Sequence, residues 1–449
     1  MSIEDIYKGL GRSLDAKLAK SKTSNVIKSQ IVNDSNEALS EASWSGSLVG
    51  LEHFTPSPES YGVKNLVRHK FGKHGQMKKS FGCHPDFEDI ENEDEMRYGY
   101  AITLFMDIIG STKLGVTYTP LEVFGIKNDI IRCAIETIDS FDGHVHRIMG
   151  DAVMAFFRSN RKQENGLVMD HAIDALNCSV FLIEMIKKVV SPRLVDMGAE
   201  KIGIRIGIDY GRDEEVIWGK YGYQGSHEVT ATSYHVDVAA KLQQKAPKNS
   251  ILVGDNFVKL LGFDKPFISV LEKMKSGVYE KQEFVKPNYL TKNGQPRNYR
   301  QFLIDHEAYK KLTPIDSYSD SLQISATLKK DKDTPSDDEY ERCSRSIKKG
   351  FGISFKARYE SVPGRDLRFL FRVENTGTEA SEQEDNANHE EYVDAVHQGD
   401  GVYFAKHWEG TEYKGIHHMF VSVWSGETRI TQEEVFSIFI TDSMESLDI

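Results

Sequence analysis

Two acidic residues at the ends of apolar runs constrain the fold of this chain most. The run YAITLFMDIIGST is rich in strand-forming residues, carries Asp107 near its end and stops at a Gly-Ser-Thr turn. The later run HVHRIMGDAVMAFF has two short apolar stretches around Gly150 and Asp151, which is typical of a β-hairpin. Turn chemistry explains either acid alone. If the strands are neighbours, both carboxylates lie at one edge of a sheet.

A pair of carboxylates at one sheet edge has a chemical consequence. Two such groups repel each other unless a cation lies between them. Oxygen ligands of this kind suit Mg²⁺ or Mn²⁺, which in turn bind phosphate oxygens. The pair Asp107 and Asp151 therefore predicts a metal site for a phosphate-containing substrate.

The sequence around the pair indicates an α+β domain. Thr119 and Pro120 are typical of a helix start, and a second helical pattern ends before Pro192. The run IGIRIGIDYG alternates like a strand. The resulting order, β-α-β-β-α-β, predicts a ferredoxin-like domain over residues 96–305, with helices on an antiparallel-rich sheet.

The flanking segments have different patterns of polar and apolar residues. Residues 1–95 alternate between amphipathic, polar and charged runs, which predicts a helical or irregular leader. Residues 306–345 are polar and charged, which predicts a linker. Residues 346–449 return to alternating apolar patterns, so a separate β-rich domain is expected there.

Composition and charge exclude several classes of protein. The net charge of −12 argues against nonspecific binding to nucleic acid or to anionic membranes. No apolar run is long enough to cross about 30 Å of hydrocarbon, and the first residues lack the apolar core of a secretion signal. The four cysteines lie far apart, which argues against a disulfide framework and a structural zinc site. A cytoplasmic protein is expected.

The acids and their surroundings resemble a known family. The segments FMDIIGST, RIMGDAVMAFF, RIGIDYG and HVDVAAKL resemble the class III nucleotide cyclase domain, from about Tyr98 to Ile304. The resemblance implies that Asp107, Asp151 and the backbone carbonyl of Ile108 bind two Mg²⁺ or Mn²⁺ ions. It also implies that the ribose 3′-hydroxyl of a nucleoside triphosphate attacks its own α-phosphate, releasing pyrophosphate.

The same resemblance implies a homodimer with two active sites at its interface. One chain supplies the metal-binding acids, and the other supplies residues for base recognition and transition-state stabilisation. The residues of this second set are Arg147, Thr230, Asp237 and Lys241.

This second set departs from the better-known cyclases. Arg147 stands where adenylate cyclases have Lys and guanylate cyclases have Glu, and Thr230 stands where adenylate cyclases have Asp. Asp237 and Lys241 replace the family's Asn and Arg, so that Lys241 keeps the charge but not the bidentate geometry. Arg147 only donates hydrogen bonds, which leaves guanine without its partner, and its length favours a smaller base.

A more specific resemblance agrees with this reasoning. Arg147, Tyr100 and the β-rich C-terminal region resemble the pyrimidine cyclases of bacterial anti-phage Pycsar systems and their sensor domains. The resemblance implies that Tyr100 and Arg147 read the base of UTP or CTP, with a slight lean to UTP. It also implies that the product, cUMP or cCMP, activates a separate effector in phage defence.

Two other functions stay open on the sequence alone. An adenylate cyclase would tolerate Arg147 in the base pocket, and a catalytically silent scaffold would explain Asp237 and Lys241. In the C-terminal region, His407, His417 and His418 fit the core of a β-domain best, with an aromatic ligand-sensing pocket and a metal site as alternatives.

Overall fold

The structure is a computed structural model. It describes residues 1–19, 60–73, 82–90, 92, 95–159, 168–223, 226–263, 266–275, 277–315 and 322–442. Residues 20–59 of the expected leader and 316–321 of the expected linker lie outside the described residues.

The helices follow one another in chain order. They are α1 (Ile3–Ile6), α2 (8–19), α3 (Val63–Lys70), α4 (Ser111–Thr117), α5 (Pro120–Ser140), α6 (Val168–Met185), α7 (Ser191–Asp196), α8 (Tyr234–Lys245), α9 (Asp255–Leu261), α10 (His306–Lys310) and α11 (Thr378–Ser381). Within the described ranges, no helix combines the length and the apolar character needed to cross a bilayer.

The strands are as follows. They are β1 (Met96–Tyr98), β2 (Ala101–Ile109), β3 (His144–Met149), β4 (Ala152–Phe157), β5 (Gly203–Gly211), β6 (Ile217–Tyr223), β7 (Ser226–Thr232), β8 (Ser250–Gly254), β9 (Ile268–Ser269), β10 (Leu271–Lys275), β11 (Val278–Gln282), β12 (Gln301–Ile304), β13 (Leu322–Lys329), β14 (Glu339–Tyr340), β15 (Ser346–Lys348), β16 (Gly352–Glu360), β17 (Arg368–Glu374), β18 (His389–Asp394), β19 (Val396–His397), β20 (Val402–Gly410), β21 (Gly415–Ser425), β22 (Thr428–Arg429) and β23 (Glu434–Thr441).

The first domain is built on one mixed sheet. In the described part of the chain, this sheet has the order β3-β4-β2-β5-β8-β12-β9, with β5 and β8 parallel and its other neighbours antiparallel. Alternate residues of β2 face opposite layers because strand side chains alternate. Ile102 and Leu104 pack with α5 and α6, whereas Ala101 and Phe105 pack with the β6-β7 ribbon and α8. The expected α+β fold is confirmed.

Local sequence signals explain the long helix that covers this sheet. The side chain of Thr119 accepts a hydrogen bond from the backbone of Glu122, and the carboxylate of Glu122 accepts one from the backbone of Thr119. This capping box, with Pro120 in the first turn, begins α5 where the sequence predicts a helix.

The described N-terminal residues are part of the first domain's core. Leu10 and Leu14 are fully buried there, and the hydroxyl of Tyr7 lies 2.8 Å from that of Thr137 on α5. The sequence predicts a helical or irregular leader here, since short amphipathic segments separated by polar runs carry no signal of their packing partner. In the described ranges these residues instead complete the helical layer.

The C-terminal region is a two-sheet β-sandwich. Its described strands form the sheets β14-β13-β16-β20-β19 and β15-β23-β21-β17-β18, with an apolar core between them. The expected linker over 306–345 is wrong in its described part, which contains α10, β13 and β14. All of β13 pairs with β16. The alternation in LQISATLK was hidden by the adjacent charged run KKDKD, which forms a loop.

The two domains share a packed boundary. The side chain of Asn177 on α6 donates to the backbone oxygen of Cys343 at 2.9 Å and accepts from the hydroxyl of Tyr309 at 2.9 Å. The rings of Phe263 and Phe439 stack at 5.9 Å between centroids. Buried residues from both domains thus belong to one continuous apolar cluster.

Candidate active site

Asp107 and Asp151 lie at the same end of two adjacent strands. Asp107 is near the end of β2 and pairs with Ala152, the first residue of β4. Asp151 directly precedes Ala152 in the turn between β3 and β4. The backbone N–H of Ile108 donates to the backbone oxygen of Asp151 at 3.3 Å, which ties the two acidic positions together.

Each acid is balanced by a basic side chain. Arg205, opposite Asp107 on β5, forms an ion pair with it, and Gln243 of α8 donates to the same oxygen at 3.2 Å. Asp151 accepts from Lys127 of α5 at 3.2 Å and from the hydroxyl of Ser111.

Both acids remain accessible to an ion from solution. Their side chains are 18% and 26% exposed for Asp107 and Asp151, respectively. Burial alone would raise the pKa of Asp151, but its hydrogen bonds to Ser111 and Lys127 lower the pKa below its ordinary value. Asp151 is therefore ionised at neutral pH.

The donor set fits hard divalent cations. Two carboxylates on adjacent strand ends supply the oxygen ligands that Mg²⁺ and Mn²⁺ prefer. Arg205 and Lys127 neutralise the charge of the two carboxylates, and a metal ion that replaced them would do the same. The carbonyl of Ile108 stays a predicted third ligand.

Arg147 pairs with a residue close in sequence to Thr230 that was not predicted from the sequence. Arg147 on β3 donates through Nε to the carboxylate of Glu228 on β7 at 2.9 Å and forms an ion pair with it. Thr230 follows Glu228 by two residues, so both side chains lie on the same face of β7. The structure thereby gathers a cation, a carboxylate and a hydroxyl-bearing residue.

Tyr100 lies in a different environment from Asp107. Its side chain is buried against α6, where its hydroxyl lies 3.0 Å from Nδ1 of His171 and donates to the backbone oxygen of Ser159 at 3.4 Å. Burial raises the pKa of Tyr100 to about 12. Within one chain the structure does not bring Tyr100 to the acids, and its role in base reading stays a prediction.

Asp237 and Lys241 occupy one face of α8, a turn apart. Asp237 is exposed, while Lys241 is half-buried with its ammonium 5.6 Å from the centre of the Tyr289 ring. The described contacts do not join either residue to Arg147 or Thr230 of the same chain. Their roles toward the triphosphate stay predictions.

Three polar partners at this site were not anticipated. Arg205 sits directly opposite Asp107 in the β2–β5 register, so correct strand pairing would have found it. Glu228 is two residues before Thr230, and strand periodicity alone places it on the same face. Lys127 comes from α5, and only tertiary packing brings it to Asp151.

The C-terminal sandwich contains a separate cavity of about 250 Å³. His417 and His418 line it, and burial lowers the pKa of each to about 4, so that both are neutral. The interpretation of these histidines as buried residues of a β-domain is confirmed, and they also face a space large enough for a small ligand.

Comparison with known proteins places two families on the chain. Residues 94–282 match the adenylate and guanylate cyclase catalytic domain. Residues 297–441 match the adenylyl/guanylyl and SMODS C-terminal sensor domain. The second match begins before residue 322, in agreement with the structure's assignment of β13 and β14 to the C-terminal domain.

Similar proteins include several named cytidylate cyclases. One from Escherichia coli is 38% identical over 98% of this chain and 100% of its own length. One from Staphylococcus aureus is 33% identical over 84% of this chain and 87% of its own length. A second protein from Escherichia coli is 30% identical over 87% of this chain and 90% of its own length.

Proposed function

The chain belongs to the class III nucleotide cyclases, in the group that contains the cytidylate cyclases, and we propose that its substrate is CTP. As a pyrimidine cyclase it forms a cyclic nucleoside monophosphate and pyrophosphate. The choice of CTP rests on one observation, the pairing of Arg147 with Glu228 beside Thr230. The names of the relatives support the same choice over the lean to UTP, which is not confirmed.

The base is recognised by complementary hydrogen bonding. Cytosine offers acceptors at O2 and N3 and a donor at its exocyclic amine. Arg147 supplies donors only, and the carboxylate of Glu228 supplies acceptors only. Uracil has an oxygen in place of the amine, and this oxygen would face the Glu228 carboxylate. Once the partner chain covers Arg147 and Glu228, such a mismatch would reject the wrong base.

The reaction needs the two acids at the sheet edge. The 3′-oxygen forms a bond to the α-phosphorus, the bond to the bridging oxygen breaks, and the hydroxyl proton leaves to solvent. Two Mg²⁺ or Mn²⁺ ions at Asp107, Asp151 and the Ile108 carbonyl would favour the deprotonated 3′-oxygen and neutralise the leaving pyrophosphate. Arg205 and Lys127 would release the carboxylates, and Lys241 would offset charge on the phosphate.

The active site is completed by a second copy of the chain. Ile148 and Met149, between Arg147 and Asp151, are 43% and 42% exposed, and two adjacent apolar side chains at this turn support a contact with a second copy there. In the proposed homodimer, Asp107 and Asp151 of one protomer face Arg147, Glu228 and Thr230 of its partner.

Two roles in this proposal require further contacts. Tyr100 would reach a base only if its bonds to His171 and Ser159 opened. Asp237 and Lys241, a turn apart on α8, would orient the ribose and the phosphates.

The cyclic product would then activate a separate effector in phage defence, a role supported by the resemblance to Pycsar cyclases.

Direct product analysis tests the proposed substrate. The purified protein is incubated with Mn²⁺ and ATP, GTP, CTP or UTP in turn, and the products are identified by mass spectrometry. We expect cyclic CMP in excess over cyclic UMP, and none from a protein carrying Asp107→Asn and Asp151→Asn. A preference for UTP would contradict the role given to Glu228. A preference for ATP would favour the adenylate cyclase alternative, and no product would favour the silent scaffold.

A further inference from the structure

Three potential metal ligands converge at the mouth of the C-terminal cavity. One ring nitrogen of His389, one of His407 and a carboxylate oxygen of Glu409 all lie within 4.8 Å of one another. His407 and Glu409 are two residues apart on β20 and therefore share a face, while His389 comes from β18 in the opposing sheet. The cluster thus joins the two sheets.

The second nitrogen of each histidine faces an acceptor. Nδ1–H of His389 donates to the backbone oxygen of Ala387 at 3.2 Å, and Nδ1 of His407 lies 3.4 Å from Oε2 of Glu391. Such outer contacts fix the tautomer in metal sites, because they leave the lone pair on Nε2. The ring of His407 is also held by stacking on Phe371 at 5.0 Å between centroids.

The three polar groups are close enough at the centre of the cluster to share one cation. Nε2 of His389 lies 2.9 Å from Oε1 of Glu409, and Nε2 of His407 contacts the same oxygen. If both histidines carry their proton on Nδ1, two lone pairs and a carboxylate oxygen point at one another. A cation among the three removes this repulsion. Without a cation, each Nε2 carries a proton and donates to Glu409, so a metal ion would displace these protons.

We propose that His389, His407 and Glu409 bind a zinc ion at the mouth of the cavity in the C-terminal domain. Two imidazoles and one carboxylate are a common zinc ligand set that leaves a fourth position open. His389 and Glu409 also line the cavity, so a ligand entering it would reach the metal. The mixed nitrogen and oxygen ligands disfavour Mg²⁺, which prefers oxygen alone.

Zinc titration of the full-length chain tests the site. The protein, without an affinity tag and carrying Asp107→Asn and Asp151→Asn to remove the catalytic ligands, is treated with a chelator and dialysed. Zinc is then added in competition with a chromophoric chelator. We expect one tightly bound zinc per chain, with affinity falling by about 100-fold or more in His389→Ala and in Glu409→Gln, since each removes a ligand.

Matched variants separate a zinc site from general histidine binding. His397→Ala and Glu390→Gln alter nearby exposed residues outside the cluster, and affinity should not change. Glu391→Gln removes the charge of the outer contact of His407 but leaves an acceptor oxygen, so a smaller loss of at most about tenfold is expected. The absence of a stoichiometric zinc ion, or equal affinity in His389→Ala and His397→Ala, would overturn the proposal.

Cobalt substitution provides a readout that does not depend on affinity. Co²⁺ bound by two imidazoles, one carboxylate and one further ligand should give the intense visible absorption of a four-coordinate ion. The absorption should be lost in Glu409→Gln if circular dichroism shows that this variant is folded. A weak spectrum of an octahedral ion in the parent protein would contradict the site.

Discussion

The proposed catalytic edge of the sheet and the proposed zinc cluster at the C-terminal cavity both bring potential metal ligands together, but with different chemistry. Asp107 and Asp151 offer oxygen only, and their negative charge is balanced by Arg205 and Lys127. The C-terminal cluster combines two imidazoles with the carboxylate of Glu409. Because hard cations prefer oxygen and zinc accepts nitrogen, the two regions suit different metals.

The two regions also differ in the groups that occupy the ligand atoms before a metal ion binds. At the sheet edge, permanently charged side chains occupy the acids and must move away when a metal binds. At the cavity, the histidines themselves are the ligands, so a metal displaces protons rather than side chains. The first arrangement suits ions that exchange with each substrate, and the second suits an ion that stays bound.

The largest expected effect is a loss of turnover on substitution of the acids at the sheet edge, but not on substitution in the C-terminal cluster. Asp107→Asn or Asp151→Asn should reduce turnover by about 1,000-fold or more, because each removes a ligand whose metal supplies several kcal/mol of transition-state stabilisation. His389→Ala should retain basal turnover, since it lies in the other domain. Cyclic nucleotide formation with Mn²⁺ measures both.

Two controls make the result interpretable. Asp196→Asn changes an exposed acid at the end of α7 and should leave turnover unchanged. Thermal unfolding should show that the inactive variants are folded. Substantial turnover in a protein carrying both Asp107→Asn and Asp151→Asn would exclude the two acids as metal ligands.

The second prediction asks whether the catalytic edge needs a partner. Asp107→Asn and Arg147→Ala should each be inactive alone, because each spoils both sites of a symmetric homodimer. When the two proteins are mixed and allowed to exchange subunits, half of the dimers have one intact site. Activity should recover to roughly a quarter of the parent value.

The pattern of recovery distinguishes shared from separate sites. A protein carrying both changes in one chain, mixed with either single variant, cannot regain activity above its background in this arrangement. If mixing Asp107→Asn with Arg147→Ala restores nothing although mixed dimers are detected by mass spectrometry, both residues act within one chain.

The third prediction concerns base selectivity. Glu228→Gln should reduce the preference for CTP over UTP by about tenfold or more, because an amide can donate to the uracil oxygen where a carboxylate cannot. The ratio of kcat/KM for the two nucleotides measures it. Glu214→Gln alters an exposed acid on the same domain and should leave the ratio unchanged. An unchanged ratio in Glu228→Gln would remove Glu228 from the base pocket.

Much of the catalytic domain could be predicted from the sequence because its signals are local. The capping box at Thr119 and the turn at Gly150 and Asp151 each specify an element from a few adjacent residues. Arg205 was missed because its position opposite Asp107 depends on which strands pair, and Glu228 was missed because Arg147 reaches it from a strand of another sheet.

The second region was much harder to predict for the same reason. His389 is separated from His407 and Glu409 in sequence, and it reaches them only across the two sheets of the sandwich. The strand β13 and the packing of the described N-terminal helices were also missed, since their partners are β16 and α5, far along the chain. Contacts across long sequence separations leave no local pattern.

The fourth prediction tests the idea that a basic side chain competes with the catalytic metal. Arg205→Gln should strengthen Mn²⁺ binding by a few-fold, because it removes a cation that pairs with Asp107. Calorimetric titration without nucleotide measures the affinity. Arg212→Gln changes an exposed arginine away from the acids and serves as the control. Weaker Mn²⁺ binding in Arg205→Gln would show that Arg205 supports the site instead.

The smallest expected effect is on stability, and it concerns Glu307 on α10, the helix that follows the catalytic domain. Glu307 pairs with Lys187 and, at 2.8 Å, with Lys310. Burial alone would raise the pKa of Glu307, but hydrogen bonds from both lysines lower it to about 2. Its ionised form is therefore favoured in the folded state, so its contribution to stability is complete above about pH 5 and is lost as the pH falls towards 2.

Glu307→Gln should accordingly lower the free energy of unfolding by about 0.5 kcal/mol at pH 6, a small value because the side chain is 47% exposed and screened by solvent. Urea unfolding at pH 6 and pH 3 measures it, and the gap between parent and variant should narrow at the lower pH. Glu382→Gln, at an exposed position, should show no gap at either pH. A gap that widens on acidification would mean that Glu307 is protonated in the folded protein, and that the two lysines are held by other groups.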